Sequence, residues 1–450
     1  MKTTSTLRRA GIALLAATTL TALPTTGASA ATAATAATAA TAATAGTAGT
    51  AGTAGTAAAP TRGGDTGWRG AWAASPQPAT APFAPNWSTA GFDDQTVRQT
   101  VRVTAGGTRA RIELTNRYGS TPLRITGATV ARTAEGGAVR PGTVRALTFG
   151  GHGSVTVPAG GTLLSDGVPF RTGALESVTV TLYLAGPTGP ATFHHLAGAT
   201  SYRAAGDHRA DVAGTAFTET SSSWYYLSGV EVSGGPHTVR RDGIVAFGDS
   251  ITDGVGATPD ADARYPDELA ERLAAAGSPR AVLNHGIGGN EVTNDVAWAG
   301  EKGISRFEKD VLTEKGVGTV ILLEGLNDIG GSGPSFPGGP TPEVSVERLI
   351  AGHRTLIRQA HAHGLKVIGA TLTPVKGSAY FTPENEAKRE AFNAWVRTSG
   401  AYDGIVDFER AVADPTDPDR LLPAYDSGDH LHPDDAGYRA MAQALDLDAL

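Results

Sequence analysis

Two textures of hydrophobic and polar positions divide the chain. From about residue 67 to 238, apolar or β-branched residues alternate with polar ones at a period of two, as in 101–103, 110–114 and 178–184. That period sorts side chains onto the two faces of a pleated strand. The glycine pairs Gly106-Gly107, Gly136-Gly137, Gly150-Gly151 and Gly160-Gly161 fall between such runs as turns. Short strands with frequent turns and no long helical pattern predict an all-β sandwich or jelly roll. From about residue 242 the pattern changes. Buried-strand candidates at 244–247, 281–283, 319–323, 367–372 and 405–408 alternate with helical spacing. Leu269 and Leu273 stand four apart, and Leu349, His353, Leu356 and Ala360 share one face of a helix near 342–363. Thr382-Pro383-Glu384 carries a cap residue followed by a first-turn proline, and a last helix spans about 435–445. Strand–helix alternation predicts an α/β fold: a parallel sheet covered on both faces. With five strands the expected arrangement is a flavodoxin-like three-layer sheet, with ligands beyond the C-terminal strand ends.

The N-terminus belongs to neither texture. Residues 1–30 read as a signal peptide, with Lys2, Arg8 and Arg9, an apolar run from Ala10 to Leu23, and Ala28-Ser29-Ala30 as a small-residue cleavage site. The apolar run is too short and too rich in threonine for a membrane anchor. Arg8-Arg9 leaves twin-arginine and general export both open. Residues 31–66 begin with Thr-Ala-Ala and Thr-Ala-Gly triplets, which offer no large apolar side chain to offset ordering, and read as a disordered linker. The organisation expected is therefore signal peptide 1–30, linker 31–66, β-sandwich 67–238 and α/β domain 239–450, in a secreted, extracellular protein.

Composition narrows the partners. The 450 residues carry a net charge of −7, and losing the leader's three basic residues makes the remainder more acidic still. Such a chain has no electrostatic case for nucleic acid or an anionic membrane surface. Without cysteine it has neither disulfides nor thiolate metal sites.

Polar, glycine-bearing segments follow the predicted strand ends, where the fold places its ligands. Gly248-Asp249-Ser250-Ile251-Thr252-Asp253-Gly254 follows the first strand, 284–290 the second and 324–328 the third, while Asp429-His430-Leu431-His432 precedes the final helix. A serine hydroxyl becomes a useful nucleophile when an imidazole takes its proton, and a carboxylate on the other ring nitrogen sets the tautomer. The three-residue spacing of Asp429 and His432 lets both side chains meet on one turn, as on a helix face. Oxyanion donors must be in place before charge develops.

These four segments resemble the blocks of the GDSL-type lipases and acylhydrolases, also called SGNH hydrolases, over residues ~242–450. The resemblance implies Ser250 as nucleophile, His432 as general base, Asp429 as its orienting acid, and Ser250, Gly289 and Asn327 as the oxyanion hole. It implies ester cleavage through an acyl-enzyme without cofactor or metal. The run Gly428-Asp429-His430-Leu431-His432-Pro433 and the preceding β-domain resemble the xylanase-operon esterase branch. That branch implies short, chiefly acetyl, esters on plant polysaccharide such as xylan. A broad aryl esterase or lipase, a peptidase, and a non-catalytic carbohydrate-binding protein remain as alternatives, and oligomeric state is left open.

Other residues have plainer readings. Asp249 is expected as a structural hydrogen-bonder. His430 with Asp426 mirrors His432 with Asp429, and the family spacing selects the latter. Gly286, Gly288 and Gly289 lack the final glycine of a dinucleotide loop, since Glu291 stands there. Ser250 lacks the second glycine of a G-x-S-x-G elbow. His194-His195 reads as packing, with no chemistry expected in the β-rich part. His361 and His363 suit a helix C-terminus. Asp414, Asp417 and Asp419 read as a solvated loop. The 329–340 loop offers one phenylalanine and no lid helix, and Trp298 suits either packing or sugar stacking.

Overall fold

The computed structural model describes residues 67–81, 85–235, 241–333, 336 and 338–450. The expected signal peptide, the linker and the boundary at 238/239 lie outside these residues. The described residues fall within one compact unit, Arg62–Leu450.

The first half is antiparallel, as its period-two pattern requires. One sheet orders Trp68–Ala73, Leu227–Ser233, Gly107–Thr115 and Thr162–Leu164, with Val168–Thr172 also on the third strand. The other is six-stranded and is built around Gln95–Val103 and Glu176–Leu184, which pair over nine residues. Val97, Val101, Val178, Val180 and Leu182 are buried between them.

The second half is the expected flavodoxin-like sheet. Its parallel strands are β1 (Gly243–Gly248), β2 (Val282–Gly286), β3 (Val317–Leu323), β4 (Lys366–Ala370) and β5 (Gly404–Val406). They run in the order β2-β1-β3-β4-β5. The chain thus starts in the middle and reverses direction between β2 and β3, leaving a crevice at the switch point beside β1. The main helices are α1 (Tyr265–Ala275), α2 (Val346–Ala362), α3 (Pro383–Thr398) and α4 (Asp435–Ala444). Helix α1 packs on α4, and α2 packs on α3, one pair for each face. Thr382 caps α3 by accepting from Asn385 N–H, with Pro383 in the first turn.

Several details differ from expectation. Strand β2 runs on to Gly286 and β5 stops at Val406, because the Asp407 side chain accepts from Arg410 N–H and starts a helix at Phe408. Asp414, Asp417 and Asp419 sit in a short hairpin, not a solvated loop: Asp414 binds Arg420, and Lys376 reaches the other two. His361 pairs with Asp403, and His363 donates to the Gln359 carbonyl at the end of α2.

One hydrophobic cluster is continuous through both halves, from Ala71 and Trp72 through Phe247 and Leu283 to Met441. Thr104 exchanges two hydrogen bonds with the Val282 backbone, and Arg117 pairs with buried Asp310. The two parts therefore share a core. Among the described residues, no helix is long and apolar enough to cross a membrane.

Candidate active site

Strand β1 ends at Gly248, and the chain turns into a four-residue helix, Ser250–Asp253. Asp249 caps it by accepting from Ile251 N–H. The cap leaves Ser250 on the first helical residue, half-exposed above the sheet. Asp249 itself is buried, and burial pushes its carboxyl up to about 7, consistent with a structural role.

His432 arrives from the opposite end of the sequence. Its Nε2 lies 2.8 Å from Ser250 Oγ, and its Nδ1 lies 2.6 Å from Asp429 Oδ2. Asp429 and His432 lie outside any helix, in a loop whose base is the bridge between Asp426 and Pro433. The three-residue spacing works because Asp429 Oδ1 accepts from the N–H groups of Leu431 and His432, folding the loop around the carboxylate. Burial alone raises the Asp429 carboxyl. The His432 contact and those backbone donors override it and hold the group well below the ordinary carboxylate range.

Gly289 and Asn327 face the same point. Gly289 has φ 77°, and a side chain there would run into the Trp298 ring, with a Cβ only 1.8 Å from it. Glycine is thus required twice over. Asn327 sits in the short helix Leu326–Gly330 after β3, entered through Gly325 at φ 135°. Its Nδ2 donates to the Asn290 carbonyl, and its Oδ1 accepts from the Tyr380 hydroxyl at 2.8 Å. Tyr380 thereby fixes which way the amide faces, since its proton can go only to the oxygen side. Asn327 also lines the cavity that opens over Ser250.

Beneath these loops lies a buried polar floor. Arg306 donates to the carbonyls of Gly248 and His285 and to Asn290 Oδ1, tying β1, β2 and the loop after β2 together. Asp328 accepts from Val292 N–H and from the backbone and hydroxyl of Thr293. Burial leaves the Asp328 carboxyl at about 6 and lifts buried Glu324, beside Arg306, to about 8.

A cavity of about 370 Å³ opens over Ser250. Besides Ser250, Gly288, Gly289, Asn327 and His432, its walls are Leu196, Val255, Trp298, Tyr380 and Leu431. Phe336, the one phenylalanine of the 329–340 loop, packs on Trp298 and Tyr380 and widens that aromatic wall. Trp298 therefore packs and lines the cavity at once.

Of the five residues singled out from the sequence, Ser250, Gly289, Asn327 and His432 line this cavity, and Asp429 stands behind His432. Tyr380, Arg306, Asp253 and Leu196 were not anticipated. Asp253 lay in view within the first block, whereas the others carry no local sequence signal. Leu196 also shows that the β-sandwich walls one side of the cavity.

Residues 246–440 match the model of the GDSL-like Lipase/Acylhydrolase family. No curated protein matches the chain. Similar solved structures include an acetyl-xylooligosaccharide esterase variant from Geobacillus Stearmophilus, 23% identical over 46% of this chain and 92% of that one, with a TM-score of 0.36. An inhibitor-bound aryl esterase from M. Smegmatis is 17% identical over 45% and 94%, with a TM-score of 0.35. A GDSL-like lipase from Bacteroides thetaiotaomicron VPI-5482 is 19% identical over 45% and 85%, with a TM-score of 0.33. The α/β part of this chain therefore carries a GDSL-like lipase/acylhydrolase domain, which supports carboxylic ester hydrolysis as its chemistry.

Proposed function

We propose that the chain is an exported serine esterase that removes short acyl groups, chiefly acetyl, through a Ser250–His432–Asp429 relay. One observation carries the reading: a single imidazole bridges Ser250 Oγ and Asp429 at 2.8 and 2.6 Å, at the floor of an open cavity.

In the first half-reaction Ser250 Oγ bonds to the ester carbonyl carbon as His432 Nε2 takes the hydroxyl proton. Asp429, accepting at Nδ1, keeps Nε2 free to receive it. The carbonyl oxygen becomes an oxyanion facing the N–H groups of Ser250, Gly289 and Asn327. Collapse breaks the bond to the alcohol oxygen, which leaves with the His432 proton. Water then repeats the sequence, delivers its proton to His432, and releases the acid and free Ser250. These steps call on no metal or cofactor.

Cavity size supports a short acyl group, because about 370 Å³ falls near the small end of ligand sites, roughly 300–1,000 Å³. The leader read in residues 1–30 supports an extracellular substrate. An acetylated plant polysaccharide such as xylan suits both, with the sugar outside the cavity and only the acyl group within. The apolar walls favour a second reading, an esterase of broad range that accepts aryl esters.

The test is a series of p-nitrophenyl esters from acetyl to octanoyl beside acetylated xylan, with released acid measured for wild type and Ser250→Ala. Activity falling with chain length, released acetate from xylan, and no turnover by Ser250→Ala is the expected result. Rates that rise toward octanoyl with no acetate from xylan select the second reading. Turnover by Ser250→Ala near wild type removes the relay.

A further inference from the structure

The two-residue strand Phe193–His194 of the β-rich part reaches under the active site. His194 is buried, stacked on Trp224 at 5.5 Å, and both ring nitrogens have partners. Nδ1 lies 2.8 Å from the Ser75 carbonyl oxygen, and Nε2 lies 3.0 Å from Asp253 Oδ1. A carbonyl oxygen can only accept, so Nδ1 carries a proton. Asp253 already accepts the Gly288 N–H at Oδ2, 3.0 Å away.

Asp253 therefore stands between two parts of the esterase machinery. It ends the short helix that Ser250 begins, and it holds the N–H of Gly288, the residue before Gly289. The packing is close, since a Cβ on Gly286 would sit 2.2 Å from Asp253 N. Oxyanion donors are effective only when held in place before charge develops. Whatever fixes Asp253 fixes the distance between nucleophile and oxyanion loop.

We propose that His194, donating from both ring nitrogens, is a positioning residue for the oxyanion hole and acts through Asp253 on the Ile287–Gly288 peptide that leads into Gly289. The inference rests on the esterase reading above and gives the β-sandwich a part in that reaction. A ring with two donated protons is an imidazolium. Burial opposes that charge, and the Asp253 carboxylate with the Ser75 carbonyl overrides it, so the ring's pKa lies above the ordinary histidine value. The other charged groups facing it are Arg264, which opposes the charge, and neighbouring His195. The arrangement makes a buried ion pair across the two halves of the fold, where removal of one partner leaves the other uncompensated. Leu196, two residues on, forms part of the cavity wall and would touch a Gly288 side chain at 2.9 Å. One segment thus supports the oxyanion loop from below and walls the cavity from the side.

The experiment uses the full chain. His194→Gln and Asp253→Asn are compared with wild type on p-nitrophenyl acetate, with kcat expressed per Ser250 site titrated by a fluorophosphonate. The expected result for each variant is kcat lower by about 10-fold or more, less than the 10²–10³ of losing a donor outright, with KM within twofold. The double variant should be no slower than the slower single variant, because both break one link. Titratable variants with wild-type kcat, or a loss confined to KM, overturn the proposal. If His194→Gln does not fold, Asp253→Asn decides. A ¹⁵N NMR measurement on wild type near pH 7 decides independently: both His194 ring nitrogens protonated supports the proposal, and one bare nitrogen overturns it. Failure of the esterase reading is separate, because wild type itself would then lack Ser250-dependent turnover.

Discussion

The loop from Asp426 to Pro433 holds two histidine–aspartate pairs made from the same parts. His430 meets Asp426 at 2.6 Å through Nδ1, and His432 meets Asp429 at the same distance through the same atom. Exposure separates them, and it is inverted. In the first pair the His430 side chain is 54% exposed and the Asp426 side chain 11%. In the second the His432 side chain is 12% exposed and the Asp429 side chain 49%. A histidine–carboxylate pair becomes a general base through what its far nitrogen faces. His432 turns Nε2 into the protein and meets Ser250, whereas His430, at φ 62°, presents its ring to water. The carboxylate need not be dry to orient its ring.

The comparison can be broken at its strongest point first. Exchanging His432 for Asn should lower kcat for p-nitrophenyl acetate by roughly 10⁴-fold or more while leaving the melting temperature nearly unchanged. A variant that stays within tenfold of wild type would place the base elsewhere, with His430 the next to examine. Asn327→Ala should lower kcat by about 10²–10³-fold with little change in KM, as expected for a donor that acts on the oxyanion. Removing one hydroxyl with Tyr380→Phe should lower kcat by roughly tenfold, because the Asn327 amide then loses the contact that sets its facing. An effect on KM alone would make Tyr380 a substrate contact.

The contrast of wet and dry carboxyls extends to stability. Half-exposed Asp429 is held low, whereas buried Glu324 is lifted to about 8. In the unfolded chain a glutamate ionises near 4.3, so folding takes up a proton between about pH 4.3 and 8. Stability from that group is complete below the window and falls as pH rises through it. Glu324→Gln lacks the loss, and its melting temperature should gain on wild type by on the order of 5 °C between pH 5 and 8. A constant difference would mean Glu324 ionises in the fold as it does in water. The smallest effect belongs to the exposed pair. His430→Asn, which tolerates a positive φ, should alter kcat by less than twofold.

Much of this arrangement was legible in the sequence. Apolar runs alternating with helical spacing imply a parallel sheet, and polar blocks after its strand ends converge by topology alone. Ser250, Gly289, Asn327, Asp429 and His432 could be found because each sits in a short segment whose chemistry is local. Tyr380, Arg306 and His194 were hidden for the opposite reason. Each acts on a partner tens of residues away, and nothing adjacent in the chain marks the meeting. His194 was the hardest: a strand of two residues has no period to read, and its partner lies in the other half of the fold. The three-residue spacing of Asp429 and His432 does bring the two side chains together, through an aspartate-centred loop and not a helix face.

The unbroken apolar cluster running from Trp72 to Met441 has a practical consequence for anyone trimming or shuffling this protein. Cutting ahead of Gly243 to obtain a minimal hydrolase would strip the cover from Leu283 and Phe247 and expose a sticky flank to solvent. The truncated piece should precipitate or need detergent. Exchanging the front half for an unrelated sugar-binding module should fail for the same reason, and calorimetry of the intact chain should record one endotherm.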